Sequence, residues 1–172
     1  MEFQVALNEW IDDPSAVRTD DLRDAIQCSA NYSSGRELTS VVVPLLESGA
    51  FQEARNAVLS VMPGSFLSPA AHTALSRAYL GLGDDEAADR ERSFARASLV
   101  SILNSGDGTR DSPWVVLRIT DEYDVVAAMG TRVSTQSVEQ RGSRVLDELT
   151  TEDGQALWFE LRGGGRRTGP KQ

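Results

Sequence analysis

The chain has almost no lysine, histidine or cysteine: one of each stands among 172 residues, beside sixteen arginines. The single cysteine, Cys28, excludes an internal disulfide framework and agrees with a reducing compartment. The single histidine, His72, lies outside any His-Glu-x-x-His or paired-cysteine spacing, which disfavours a zinc site. A GC-rich genome would account for the missing lysine, and selection against lysine modification is the alternative.

Long hydrophobic runs are missing too. No apolar stretch approaches the ~20 residues that a membrane-spanning helix needs, and the first residues lack the basic and apolar segments of a secretory signal. We therefore expect a cytoplasmic protein with no membrane contact. The net charge of −9 disfavours nucleic acid, because phosphate is bound by lysine and arginine. The same charge suits a basic protein as the partner.

Recognised catalytic motifs are absent as well. There is neither a Gly-x-Ser-x-Gly turn nor a glycine-rich phosphate loop. Composition alone does not exclude a Ser-His-Asp triad, but we expect His72 to pack between helices and Cys28 to be buried. Three acidic pairs are expected to lie at helix starts, as caps and on solvated faces: Asp12-Asp13, Asp20-Asp21 and Asp84-Asp85. We expect no catalytic residue, no metal and no cofactor.

One loop has oxygen-bearing side chains in the pattern that opens a calcium-binding loop. Its sequence is Asp107-Gly108-Thr109-Arg110-Asp111. The later glycine and the closing bidentate glutamate of such a loop are missing from the required spacing. We therefore expect a helix-to-strand turn that is held by aspartate and glycine.

The middle of the chain contains an internal repeat, in which the segment 35–66 aligns without gaps on the segment 69–100. The matched positions are Val41 with Leu75, Leu45 with Tyr79, Gly49 with Gly83, Ala54 with Ala88, and Val61 with Ala95. In each copy an apolar helix should end at the glycine, and a second helix should begin within a few residues. The repeat therefore predicts two antiparallel helical hairpins.

These hairpins resemble the tetratricopeptide repeat (TPR), whose period equals the offset between the two copies. The chain departs from that pattern at the first tryptophan, here Leu38 and His72, and at a late aromatic, here Val58 and Arg92. Two unrelated hairpins remain the alternative. Because two repeats rarely bury a continuous core, the flanks should add helices. We expect one near Trp10 and another that starts at Thr19, so that the helical region covers residues 1–104.

After residue 105 the helical period gives way to alternation. We expect strands at 114–119, 132–138, 144–149 and 155–161. A helix at 121–129, capped by Thr120, should follow the first strand. The sequence thus predicts an α+β fold: TPR-like antiparallel helical hairpins, then a small β-α-β-β-β module (105–162) packed on them as one cooperative unit. The tail, 163–172, has no apolar content and should be disordered.

The whole chain resembles a bacterial family of unknown function that pairs a short TPR-like region with a small β module. The residues that carry the resemblance are the loop Ser105-Gly106-Asp107-Gly108-Thr109, the valine-rich strand after it, Asp121-Glu122-Tyr123, and Leu157-Trp158-Phe159. The resemblance implies the architecture and no activity.

The TPR resemblance implies a concave groove lined by the first helix of each hairpin. The outward positions are Arg36, Thr39, Val43, Leu46, Glu47, Thr73, Arg77 and Leu80. Apolar anchors mixed with arginine are typical of a recognition surface. We therefore expect a non-catalytic protein-binding module of the adaptor, chaperone or immunity type. The alternatives are a self-assembling subunit, an enzyme with an unrecognised site, and a groove that is filled by other parts of the chain.

Overall fold

The computed structural model describes residues 2–163, which form seven α-helices and four β-strands. Six helices come first, and a strand, a helix and three strands follow. The chain divides into two compact units, Met1–Ser101 and Ile102–Gln172, which we call the helical unit and the α/β unit. The α+β fold, with helices before a small β module, is confirmed. Of the predicted disordered tail, only Gly163 belongs to the described residues, and the rest lies outside them.

The helical unit is built from three consecutive helix pairs. The helices are α1 (Phe3–Asp12), α2 (Ala16–Gln27), α3 (Leu38–Glu47), α4 (Phe51–Leu59), α5 (Pro69–Gly81) and α6 (Asp85–Leu103), whose last two residues fall in the α/β unit. α1 packs on α2, and α3 contacts both α4 and α5. Gly49 and Gly83 follow α3 and α5 with φ of 76° and 79°, so the predicted glycine stops lie where they were expected.

Only one of the three acidic pairs caps a helix start. The side chain of Asp84 accepts a hydrogen bond from the Ala87 N–H at 3.0 Å at the beginning of α6. The expected position at a helix start is wrong for the other two pairs, although Asp12, Asp13 and Asp20 are exposed to solvent as expected. Asp12 ends α1, and α2 begins at Ala16, directly after the Pro14 break. The pair Asp20-Asp21 therefore lies inside α2.

The core of the repeat is formed by α3, α4 and α5. Its buried residues are Val42, Leu46, Ala54, Val58, Ala71, Leu75 and Ala78. Leu46 corrects one expectation, since it was predicted to point outward and is only 6 % exposed. The physical reason is that α5 packs beside α3 and covers Leu46 together with Val42, which lies one helical turn earlier.

The N-terminal helices are tied to the second repeat by an aromatic cluster. Phe66, in the α4–α5 connection, contacts the rings of Phe3 and Trp10 of α1 at centroid distances of 5.5 and 6.4 Å. It also contacts His72 of α5 at 5.0 Å and Phe94 of α6 at 5.2 Å. All four contacts are edge-to-face, which is a geometry that aromatic rings prefer. His72 thus packs between helices, as expected.

Cys28 does not follow the prediction of a buried thiol. It is exposed, because α2 ends at Gln27 and Cys28 is the cap residue after its last turn. The buried stripe of α2, Leu22, Ala25 and Ile26, stops before it.

The α/β unit contains one mixed sheet and one helix. Its elements are β1 (Trp114–Val116), α7 (Ile119–Ala128), β2 (Val133–Arg141), β3 (Arg144–Thr151) and β4 (Ala156–Leu161). The strand order is β1-β4-β3-β2, with β1 parallel to β4 and the other pairs antiparallel. Thr120 does not cap α7. The Asp121 carboxylate accepts from the Arg118 N–H at 3.1 Å instead, so the cap lies earlier in the chain, at Arg118.

Candidate functional site

The residues predicted to line a groove lie on one side of α3 and α5, with Leu46 as the exception. Five are exposed: Thr39, Glu47, Thr73, Arg77 and Leu80. Val43 is half-buried, and Arg36 is held beside α3 by a 3.4 Å contact between its Nη2 and the Asn31 carbonyl oxygen. We call the surface formed by Thr39, Val43, Glu47, Thr73, Arg77 and Leu80 the α3–α5 face. Because most of these side chains are exposed, the α3–α5 face is not filled by other described parts of the helical unit.

On α5 the exposed stripe follows helical spacing. Thr73, Arg77 and Leu80 recur once per helical turn, while the intervening Leu75 and Ala78 are buried. The Thr73 hydroxyl donates to the Pro69 carbonyl within the same helix at 2.8 Å. The stripe therefore offers a partner one guanidinium group and one apolar side chain.

Two pairs of equivalent positions, one near the start and one near the end of the first helix of each repeat, differ in exposure. Leu46 is 6 % exposed, whereas Leu80, its equivalent in the second copy, is 47 % exposed. Conversely, Val41 is 57 % exposed, whereas its equivalent Leu75 is 2 % exposed. Leu46 is covered because α5 packs next to α3. Leu80 is therefore uncovered at the position where a third repeat would place its own first helix.

A second cluster, which sequence reasoning missed, lies inside the α/β unit. It brings together Asp121 and Glu122 near the start of α7 with Asp147 in the middle of β3. Their exposed fractions are 1 %, 0 % and 4 %. The buried Arg118 lies beside them, with its Nη1 3.4 Å from Asp121 Oδ2. Three acids and one arginine thus share a region that is closed to water.

Glu122 is the most perturbed of these acids. Neither of its carboxyl oxygens has an N–H donor within reach among the described residues. Burial is the largest cause that raises the pKa of Glu122 to about 10, and the charge of Asp147, a hydrogen bond to Asp147 and the charge of Asp121 act in the same direction. Two ionised carboxylates have no proton to share, so this hydrogen bond requires that one of the two groups is protonated, and the raised pKa of Glu122 makes it the donor.

The chemistry open to this cluster is limited by its burial. A protonated Glu122 could donate a proton in principle, but a side chain with no exposed surface does not touch a substrate. No group of three His, Cys, Asp or Glu side chains among residues 2–163 is arranged to hold a metal ion. The sequence signal was Asp147, a charged residue between Val145 and Leu149 on the inward side of a strand.

The loop that resembled a calcium-binding sequence forms a turn with its own hydrogen bonds. Asp107 Oδ1 accepts from the Thr109 N–H at 3.0 Å, and the pKa of Asp107 is lowered by its hydrogen bonds with Thr109. The Ser112 carbonyl accepts from the N–H groups of Asp107 and Gly108 at 2.9 and 3.1 Å. These contacts close the connection from α6 to β1, as the aspartate and glycine predicted.

In comparisons with known proteins, no family model, curated protein or solved structure matches the chain. Among the helices of residues 2–163, none has both the length and the hydrophobicity to cross a bilayer.

Proposed function

We propose that the chain is a non-catalytic protein-binding module and that a helix of another protein docks on the α5 part of the α3–α5 face. The observation that carries the proposal is the pair Leu46 and Leu80. One is buried by the next helix of the repeat, and its equivalent is left uncovered beside Arg77. A partner helix on α5 would take the place that α5 itself takes on α3, in a TPR-like stack.

The chemistry of the partner follows from this surface. Leu80 would pack against an apolar side chain of the partner, and Arg77 would bind a carboxylate or carbonyl oxygen of the partner next to it. The chain as a whole carries a net charge of −9. Its field would therefore speed the approach of a partner that is basic overall. A helix with one apolar stripe, an acid at its edge and a basic remainder fits these requirements.

The experiment compares two leucines of similar exposure. Leu80→Glu alters the α3–α5 face, and Leu59→Glu alters the end of α4, where the leucine is 44 % exposed. Proteins captured by the wild-type chain from a lysate of its own organism would be identified, purified and titrated against all three chains by calorimetry. We expect one-to-one binding to the wild type and to Leu59→Glu. Leu80→Glu should bind at least about tenfold more weakly, since truncating or charging an anchor removes its contact energy.

A captured protein that binds Leu80→Glu as tightly as the wild type would overturn the proposal. Circular dichroism of both variants provides the folding control. Each leucine is already solvated on one side, so both helical spectra should match that of the wild type.

A further inference from the structure

The long strand β2 forms an unprotected edge of the sheet. It spans nine residues, Val133–Arg141, and no strand of the described chain pairs with its outer side. Natural edge strands are usually short, or carry proline, charged side chains (lysine above all) or a β-bulge, which hinder pairing with other chains. The opposite edge, β1, has only three residues. β2 contains neither proline nor lysine, and its one irregularity lies at its beginning, between Val133 and Thr135.

The register of the hairpin shows which backbone groups of β2 face outward. Arg141 and Arg144 are partners across a two-residue turn, so they exchange backbone hydrogen bonds. In an antiparallel pair such residues alternate with residues whose N–H and C=O groups point away from the partner strand. Counting back from Arg141, the outward groups belong to Gln140, Val138 and Gln136.

The side chains of those three residues lie on one face of β2 and read the same in both directions: glutamine, valine, glutamine. Val138 is 52 % exposed. We propose that β2 pairs antiparallel with β2 of a second copy, with Val138 opposite Val138 and Gln136 opposite Gln140. The paired valines cover each other. The Gln136 side-chain oxygen accepts from the Tyr123 hydroxyl of its own chain at 2.6 Å, and its amide N–H group can donate to the Gln140 side chain of the second copy.

The charges of β2 do not oppose a second copy at this edge, even though the chain as a whole is acidic. β2 contains one glutamate and one arginine, Glu139 and Arg141, so its formal charge is zero. Both side chains lie on the opposite face of β2 and form ion pairs within their own chain. Glu139 accepts from Arg110 at 2.7 and 3.0 Å, and Arg141 lies 3.8 Å from Asp111. In the proposed register Glu139 faces Ser137 of the second copy, so no like charges meet directly.

The expected dimer is weak and depends on concentration. Three facing residue pairs supply about six backbone hydrogen bonds, and the strip is smaller than the interface of a stable complex. The first test is sedimentation over a wide concentration range. Val138→Lys places two ammonium groups opposite each other and should keep the chain monomeric. The control is Met129→Lys, a substitution at a 44 % exposed residue just after α7, which should dimerise like the wild type.

A second test reads the register directly. In a Cys28→Ser background, Val138→Cys should form a disulfide-linked dimer on mild oxidation, because facing residues of an antiparallel pair lie within disulfide range. Gln136→Cys alone should react slowly. A mixture of Gln136→Cys and Gln140→Cys should link rapidly as a heterodimer.

A wild-type chain that stays monomeric at every concentration would overturn the inference. So would equal rates of oxidation for Val138→Cys and Gln136→Cys. Neither result bears on the proposed function, which concerns only α3 and α5 of the helical unit.

Discussion

Two buried polar side chains, His72 in the helical unit and Glu122 in the α/β unit, have opposite surroundings. In the helical unit, His72 is 2 % exposed and its Nδ1 lies 2.7 Å from a carboxylate oxygen of Glu91, while its Nε2 contacts the Phe66 carbonyl oxygen. The guanidinium of Arg23 donates to the Ser101 carbonyl at 2.8 Å. In the α/β unit, Glu122 is fully buried, and its oxygens have no N–H donor among residues 2–163.

The difference shows that burial alone does not determine whether a polar group stabilises a fold. A buried group with partners recovers the hydration that it lost, and removing it leaves both a cavity and a stranded partner. A buried acid without a donor avoids the cost of a buried charge only by keeping its proton. Removing His72 should therefore destabilise the helical unit, whereas neutralising Glu122 should stabilise the α/β unit.

The largest effect is expected for His72→Ala. The substitution removes a ring that packs on Phe66 and Phe94, at 5.0 and 5.4 Å, and it leaves Glu91 without its hydrogen bond. We expect a loss of about 3 kcal/mol in the free energy of unfolding. Denaturant titration measures it. Thr73→Ala, at the next position and exposed, should change the same quantity by less than about 0.5 kcal/mol. Equal losses in both variants would contradict the comparison.

Glu122→Gln should have an effect of the opposite sign. The folded-state pKa of Glu122, about 10, lies above its ordinary value of 4.5. Its contribution to stability is therefore fully present below pH 4.5 and is lost as the pH rises towards 10, by at most about 1.4 kcal/mol per pH unit. Glutamine replaces the protonated acid without titrating. We expect a gain of about 1–3 kcal/mol at pH 7 and almost none at pH 4.5.

The measurement is denaturant unfolding of both chains between pH 4.5 and 9. Glu148→Gln is the matched control, because Glu148 is half-buried on the other face of β3 and receives a hydrogen bond from Ser137 at 3.1 Å. That variant should keep the pH slope of the wild type. If Glu122→Gln also keeps it, Glu122 ionises normally in the folded protein.

The smallest effect is expected for Ser76→Ala. Ser76 is buried, and its hydroxyl donates to the Ala88 carbonyl of α6 at 2.9 Å. The methyl group of alanine fills most of the same space, and only one neutral hydrogen bond is lost. We expect a loss of about 1 kcal/mol, detectable as a shift of the thermal midpoint. A loss as large as that of His72→Ala would show that the α5–α6 contact depends on this single bond.

The sequence was most informative where the structure is local. The helix ends at Gly49 and Gly83 depend on neighbouring residues, and so does the succession of a strand, a helix and three strands along the chain after residue 105. Both were predicted. The exposure of Leu80 was predicted too, but the burial of Leu46 was not, because it depends on whether another helix follows in space. Asp147 and Glu122 lie far apart in the chain, on a strand and a helix, and no periodicity indicates that they meet. The packing of the β module on the helices stays a prediction.

The turn between α6 and β1 limits which residues homologous proteins can carry at two positions. A methyl group at Gly106 would collide with the carbonyl of Pro113, and one at Gly108, whose φ is +76°, would lie 2.7 Å from the indole of Trp114. Both collisions are with backbone or a large ring, so no side chain can be accommodated. Once homologous sequences are collected, glycine should be invariant at both positions. Such invariance next to aspartates commonly suggests a ligand site, and here steric exclusion alone will produce it.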